Sequence, residues 1–133
     1  LASAPHAAGL IDTDILIDAA RGVQEAKAFL ASQRQAYGAQ ISIVSAMELV
    51  VGSRDKAELK QLQQFLQSVV VLPVNEAASQ QAYQLMETFS LSHGLLIPDA
   101  LIAATALEQS LPRYTKNLRH YQMIPALSVI RPY

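Results

Sequence analysis

Five short strand-like runs are spread along the chain: GLIDT (9–13), QISIV (40–44), VVVLPV (69–74), RYTK (113–116) and ALSVI (126–130). Most of the residues between them repeat with a helical period. Ala26, Phe29 and Leu30 alternate with Glu25, Lys27 and Arg34 in a pattern that predicts a helix over 23–35. Leu59, Leu62, Phe65 and Leu66 fall on one face of a second helix over 55–68. Residues 75–91 read as a long helix, and 97–110 as another, opened by Pro98 where a missing N–H does no harm. Strands parted by helices pair in parallel through crossovers, so the pattern predicts an α/β fold. The form expected is a three-layer α/β/α sandwich around a mainly parallel sheet of four to five strands.

Local signals refine this picture. The ILI that follows the first run reads as an apolar turn, and Gly38 as a break before the second strand. Ser45 and Glu48 have the Ser-x-x-Glu spacing of a capping box, with Gly52 ending the segment. Pro73 places the third strand at an edge or a strand end.

At 133 residues the chain can bury one substantial core, assigned to a single domain over 9–133. The first eight residues, LASAPHAA, have no basic or apolar signal-peptide region and are expected to be a tag remnant or a disordered tail. A 51% share of AVILMFWYC excludes a disordered chain, and no apolar run approaches the roughly 18 residues that a membrane span needs. The absence of Cys removes disulfides and thiolate metal sites and fits a cytoplasmic protein. A formal charge of −1 gives no global basic field for nucleic acid, so any polyanion contact has to be a local patch.

Three carboxylates far apart in sequence, Asp12, Glu48 and Asp99, each follow a strand or lie in the first turn of a helix. In an open parallel sheet those places gather on one edge, where ligands bind. Asn117, just after RYTK, reaches the same edge as a neutral oxygen ligand or donor. Oxygen ligands without Cys or paired His suit Mg²⁺ or Mn²⁺, which can activate water and neutralise charge on a phosphodiester. Thr13 and Thr115 can bond a carboxylate or a metal-bound water, and Lys116 and Arg119 can contact phosphate. Each residue also has a plain structural role open to it. Glu48 can complete the capping box, Asp99 can favour a helix dipole and Asn117 can cap a turn. Asp14 and Asp18 read as peripheral solvated acids, and His6, His93 and His120 as isolated residues.

Taken in order, LIDTDILID, SAMELVVG, IPDALIAATAL and YTKNLRHY resemble the PIN-domain ribonucleases, specifically the VapC-type toxins of bacterial toxin–antitoxin pairs. The resemblance runs from about Gly9 to Tyr133. It implies a PIN-like fold and a metal-dependent endoribonuclease toxin, with Asp12, Glu48 and Asp99 holding Mg²⁺ or Mn²⁺ and Thr115 and Asn117 assisting. Asn117 stands where many relatives carry a fourth acid, which removes one negative charge. Also implied are a homodimer, a cognate VapB-type antitoxin that blocks the site, and a structured RNA substrate, a tRNA loop first and an rRNA loop second.

Three alternatives stand beside this reading, and one of them, a phosphoacceptor receiver domain, needs an acceptor Asp at the end of its third strand, where VVVLPVNEA provides none. A non-catalytic PIN-like binding module is consistent with Asn117. A haloacid-dehalogenase-type phosphatase is suggested by Asp12-Thr13-Asp14, although Ile15 and Leu16 depart from that pattern.

Overall fold

The computed structural model describes residues 6–133. Its elements are β1 (Leu10–Ile11), α1 (Thr13–Ala20), α2 (Gln24–Tyr37), β2 (Gln40–Ser42), α3 (Ile43–Val51), α4 (Lys56–Leu66), β3 (Val70–Leu72), α5 (Glu76–His93), α6 (Ile97–Glu108), β4 (Arg113–Tyr114) and β5 (Val129–Ile130). The five strands form one sheet in the order β3-β2-β1-β4-β5. Every neighbouring pair is parallel. The expected sandwich is therefore present, with β3 at an edge as Pro73 suggested.

Two local expectations are corrected. The ILI segment belongs to helix α1 rather than a turn, because Asp12 caps it in extended conformation and Asp14 sits in its positive first turn. Ile15 and Leu16 are then buried by the helix instead of being spent in a loop. The second strand ends at Ser42, two residues earlier than QISIV implied, and Ser42 rather than Ser45 caps α3 by accepting from the Val44 N–H. With the helix starting at Ile43, Ser45 is its third residue rather than its cap, and no Ser45–Glu48 capping box forms. Tertiary burial of Val44 on the α6 side outweighs the β preference of a branched residue.

The central strands carry the core on both faces. Ile11, Ile41 and Tyr114 pack with Ile15, Leu16, Phe29 and Leu30 of α1 and α2. Leu10 packs on the opposite face with Val44, Ile102 and Ala106. Helix α6 meets α5 through small residues, Ala100, Ala103 and Ala104 against Ala78 and Ala82, all buried, so the two backbones approach closely. This settles which amphipathic helix is covered. Helix α5 spends Ala78, Ala82 and Leu85 on the core, whereas α4 has no buried residue and leaves Leu59, Leu62, Phe65 and Leu66 half-exposed.

Turn chemistry follows the sequence closely at Gly38, whose left-handed φ of 82° ends α2 while its N–H and that of Ala39 bond the Arg34 and Gln33 carbonyls. Residues 1–5 lie outside the described residues, but His6–Ala8 are not a loose tail. The His6 ring stands edge-on to Phe29 and Tyr114, and the Ala7 carbonyl accepts from Tyr114 Oη at 2.6 Å and Gln33 Nε2 at 3.0 Å. The same tyrosine presses on Gly9, where an added Cβ would lie 2.3 Å from Tyr114 Cε2 and 2.9 Å from the Pro112 carbonyl oxygen. Gly9→Ala is therefore expected to destabilise the protein by about 1–3 kcal/mol through overpacking, measured as a lower urea midpoint with an unchanged slope.

Candidate active site

The site begins with strand register. Ile11 of β1 pairs with Tyr114 of β4, so the next residue of each strand, Asp12 and Thr115, emerges side by side at the carboxyl edge of the sheet. The Asp12 N–H donates to the Tyr114 carbonyl at 2.9 Å, and the Thr115 hydroxyl donates to Asp12 Oδ2 at 2.8 Å. Both side chains are buried.

Arg113 shares the face of β4 with Thr115, since residues two apart in a strand point the same way. It is 0% exposed. A buried guanidinium must be compensated by anions and acceptors, and here it finds them on both sides. One terminal nitrogen donates to Asp12 Oδ1 at 3.0 Å and stands 3.7 Å from Asp99 Oδ1. The other donates to the Asp99 carbonyl at 3.2 Å. The guanidinium carbon lies 3.6 Å from the centre of the Tyr121 ring, a cation–π contact, while Nε has no hydrogen-bond partner among the described residues. Tyr121 closes the circuit by donating to Asp99 Oδ1 at 2.6 Å. Burial pushes its hydroxyl pKa up, so it remains a protonated donor.

Asp14, one residue into α1 from Thr13, is the acid that the sequence pattern placed at the periphery. It instead faces the β4 loop, where Oδ2 accepts the Lys116 N–H at 2.9 Å, with Thr115 Oγ1 and Asn117 Nδ2 more distant at 3.4 Å. Its Oδ1 is buried without a hydrogen-bond partner among the described residues. Burial first, and then the charge of Asp12, raises its pKa above the ordinary 3.8.

The other predicted residues take different places. Glu48 is exposed and reaches the cluster through Thr13, whose hydroxyl donates to Glu48 Oε1 at 2.8 Å. Ser45 Oγ lies 2.9 Å from the same Thr13 hydroxyl; with its single proton given to Glu48, Thr13 can accept from Ser45. Asn117 is tied mainly by its backbone, its N–H donating to Thr115 Oγ1 at 3.1 Å. Arg119 lines a small cleft beside Asp99, together with His93 and His120. Asp12, Asp99, Thr115 and Asn117 thus gather at one edge, Thr13 links Glu48 to it, and Arg119 stands on the rim.

Arg113, Tyr121 and Asp14 were missed by sequence reasoning. Of these, Arg113 carried a usable signal: a lone charge inside the strand of a two-sided buried sheet needs a partner.

The parallel sheet with acids gathered at the carboxyl ends of its strands defines an α/β protein with a ligand site at that edge, and comparison with known proteins gives its family. The PIN domain family model matches residues 9–123. The chain is 38% identical over 119 residues to Ribonuclease VapC10 of Mycobacterium tuberculosis, covering 89% of each protein. It is 36% identical over 121 residues to Ribonuclease VapC19 of the same organism, covering 89% of this chain and 95% of that one. A toxin–antitoxin complex from Klebsiella pneumoniae contains a chain of similar structure, with a TM-score of 0.77, 29% identity, and coverage of 95% and 98% of the two chains. The chain belongs to the PIN-domain family and, within it, to the VapC ribonucleases.

Lys116 does not extend freely from this edge. Its ammonium is 2.5 Å from Asp18 Oδ2, and the Tyr133 hydroxyl donates to the same carboxylate at 2.9 Å. Lys116 first and Tyr133 second hold the Asp18 pKa below the ordinary 3.8. A depressed carboxylate contributes stability that is complete above its unfolded pKa and is lost as pH falls through its folded one. Asp18→Asn is expected to lower the urea midpoint near pH 7, with the difference from the unaltered protein disappearing as pH is brought below 3.8.

Proposed function

We propose that this chain is a divalent-metal-dependent endoribonuclease that acts as the toxin of a toxin–antitoxin pair in the bacterial cytoplasm. It would cut a loop of a structured RNA, a tRNA first and an rRNA second, and so halt translation. The observation that carries the reading is the meeting of Asp12 and Asp99 at one guanidinium nitrogen, with Asp14 beside them, at the ligand-binding edge of a PIN-family sheet.

The donor set fits a hard cation. Asp14 Oδ1 is a buried carboxylate oxygen without a hydrogen-bond partner among the described residues, and such an oxygen is stabilised by a cation. Among the described residues, no cluster of three or more Asp, Glu, His or Cys side chains is already arranged to hold a metal. What supports Mg²⁺ or Mn²⁺ is the all-oxygen donor set of Asp12, Asp14 and Asp99, since these ions take oxygen ligands and keep several waters. Asp12 and Asp99 would hold the ion directly and Glu48 directly or through water, with Asp14 adjoining. When bound, the ion supplies charge neutralisation at the phosphodiester and an activated water.

The chain's own groups prepare the site. Thr115 fixes Asp12 with a hydroxyl proton, Tyr121 fixes Asp99 with another, and Thr13 orients Glu48. Arg119 supplies positive charge at the rim, where RNA phosphates would lie, and Asn117 adds a neutral donor. Recognition of loops by shape tolerates the near-neutral charge of the chain.

The half-covered face of α4 lines a groove of about 1020 Å³, with Leu16, Leu30, Leu49, Leu62 and Phe65 among its walls. This is the apolar surface on which a VapB-type antitoxin segment would dock. Leu91, Leu96 and Ile97 form an exposed apolar rim at the α5–α6 turn, suited to a second copy of the chain in a homodimer. Among the described residues no helix is long and apolar enough to cross a membrane.

The test is mapping of new RNA 5′ ends after brief induction in bacteria, beside Asp99→Asn. Discrete new ends are expected only with the unaltered protein, the variant losing at least about a hundredfold in cleavage. The Asn keeps an acceptor for Tyr121 and leaves Arg113 its hydrogen-bonded anion Asp12 at 3.0 Å, so its melting temperature is expected to stay within about 5 °C of the parent. Equal cleavage patterns from two folded proteins would overturn the assignment of Asp99.

A further inference from the structure

The acid cluster already contains a cation. Arg113 is fully buried, and one of its nitrogens lies between Asp12 Oδ1 and Asp99 Oδ1 at 3.0 and 3.7 Å. We propose that Arg113 is a tethered counter-cation that takes the place of a second metal ion, so that the site admits one divalent ion and holds it more weakly than its carboxylates alone would. The proposal rests on the metal-dependent reading given above.

Three features distinguish this arginine from an ordinary ion pair. First, it cannot swing away to make room: the hydrogen bond to the Asp99 carbonyl, the Tyr121 ring beneath the guanidinium and complete burial hold it in place. Second, its two carboxylate contacts are the same two acids assigned as direct metal ligands, so its charge acts at short range through little water. Third, the local charge leaves room for one ion only. Asp12, Asp14, Glu48 and Asp99 with Arg113 carry three net negative charges when all are ionised, too few to neutralise two divalent cations. Asn117, neutral on the same edge, adds no acid that would hold a second.

The arrangement has a use in the metal-free protein. Carboxylates left without a cation repel one another, and Arg113 keeps Asp12 and Asp99 converged while no ion is bound. Arg113 is thus a positioning residue whose cost is metal affinity.

The experiment is titration of Mn²⁺ into the unaltered protein, Arg113→Gln and Arg113→Met, read as affinity and stoichiometry by calorimetry, with thermal unfolding of each in the presence and absence of the ion. Gln can still donate to the Asp99 carbonyl, and Met fills a similar length without a polar group. The unaltered protein is expected to bind one Mn²⁺ per chain. The neutral variants are expected to bind Mn²⁺ at least about tenfold more tightly, to melt lower without metal, and to show a larger rise in melting temperature when it is added. Affinity that is unchanged or weaker in a folded neutral variant, or two ions per chain in the unaltered protein, would overturn the proposal while leaving metal dependence intact. No Mn²⁺ binding by the unaltered protein would overturn both. If neither variant folds, the side-chain nitrogen resonances of Arg113 in the ¹⁵N-labelled unaltered protein decide. They are expected to shift with added Mg²⁺ and saturate with it, and their failure to move would sink the idea.

Discussion

A guanidinium with no exposure to water has to be matched by anions, and in this protein that requirement organises the functional edge. Arg113 stands at the beginning of β4 and reaches across to the residue after β1 and to the first turn of α6. Three elements distant in sequence are held to one point by a single side chain. Removing either partner of such a buried pair leaves an uncompensated charge, which costs far more than the pair contributes when intact. The geometry around Arg113 is therefore strongly constrained, and the neighbouring Thr115 and Tyr121 hydroxyls inherit that constraint through Asp12 and Asp99.

The very short strands explain why so much chemistry collects there. β1 and β4 have two residues each, and α1 begins one residue after β1, so Asp12 serves at once as the strand's exit, the helix cap and a member of the acid cluster. A longer connection would have let Asp12 fray into solvent. Parallel pairing then places Thr115 beside it without any further device. The small residues of α5 and α6 let those helices pack closely, which sets the first turn of α6, and with it Asp99, against the sheet edge.

The charge on this edge is finely divided between groups with different tasks. Asp14 and Asp18 lie on the same short helix with opposite electrostatic fates: burial and Asp12 raise the pKa of the first, and Lys116 with Tyr133 lowers that of the second. Lys116 thereby belongs to the framework, its ammonium turned toward Asp18 and its backbone N–H toward Asp14. Arg119, by contrast, lines the cleft beside Asp99.

Hydrophobic periodicity was enough to read the alternation of strands and helices, because a buried parallel sheet demands apolar runs and its crossovers demand amphipathic helices. The approach of Asp12, Asp99 and Asn117 followed from topology alone, since strand ends and helix starts share an edge. Local signals were less dependable where two structures compete for the same residues. ILI and the Ile43-Val44 pair went into helices because burial outweighed turn and β preferences. Residues 6–8 look featureless as sequence, yet they pack because Tyr114 and Gln33 need an acceptor. What the sequence by itself determined was the class of fold and the edge where acids meet. Only the tertiary structure decided that Asp14 joins them, that Glu48 is reached through Thr13, and that Arg113 lies between Asp12 and Asp99. Those outcomes depend on which buried polar atoms find partners, and partners a hundred residues apart leave no periodic trace in the chain.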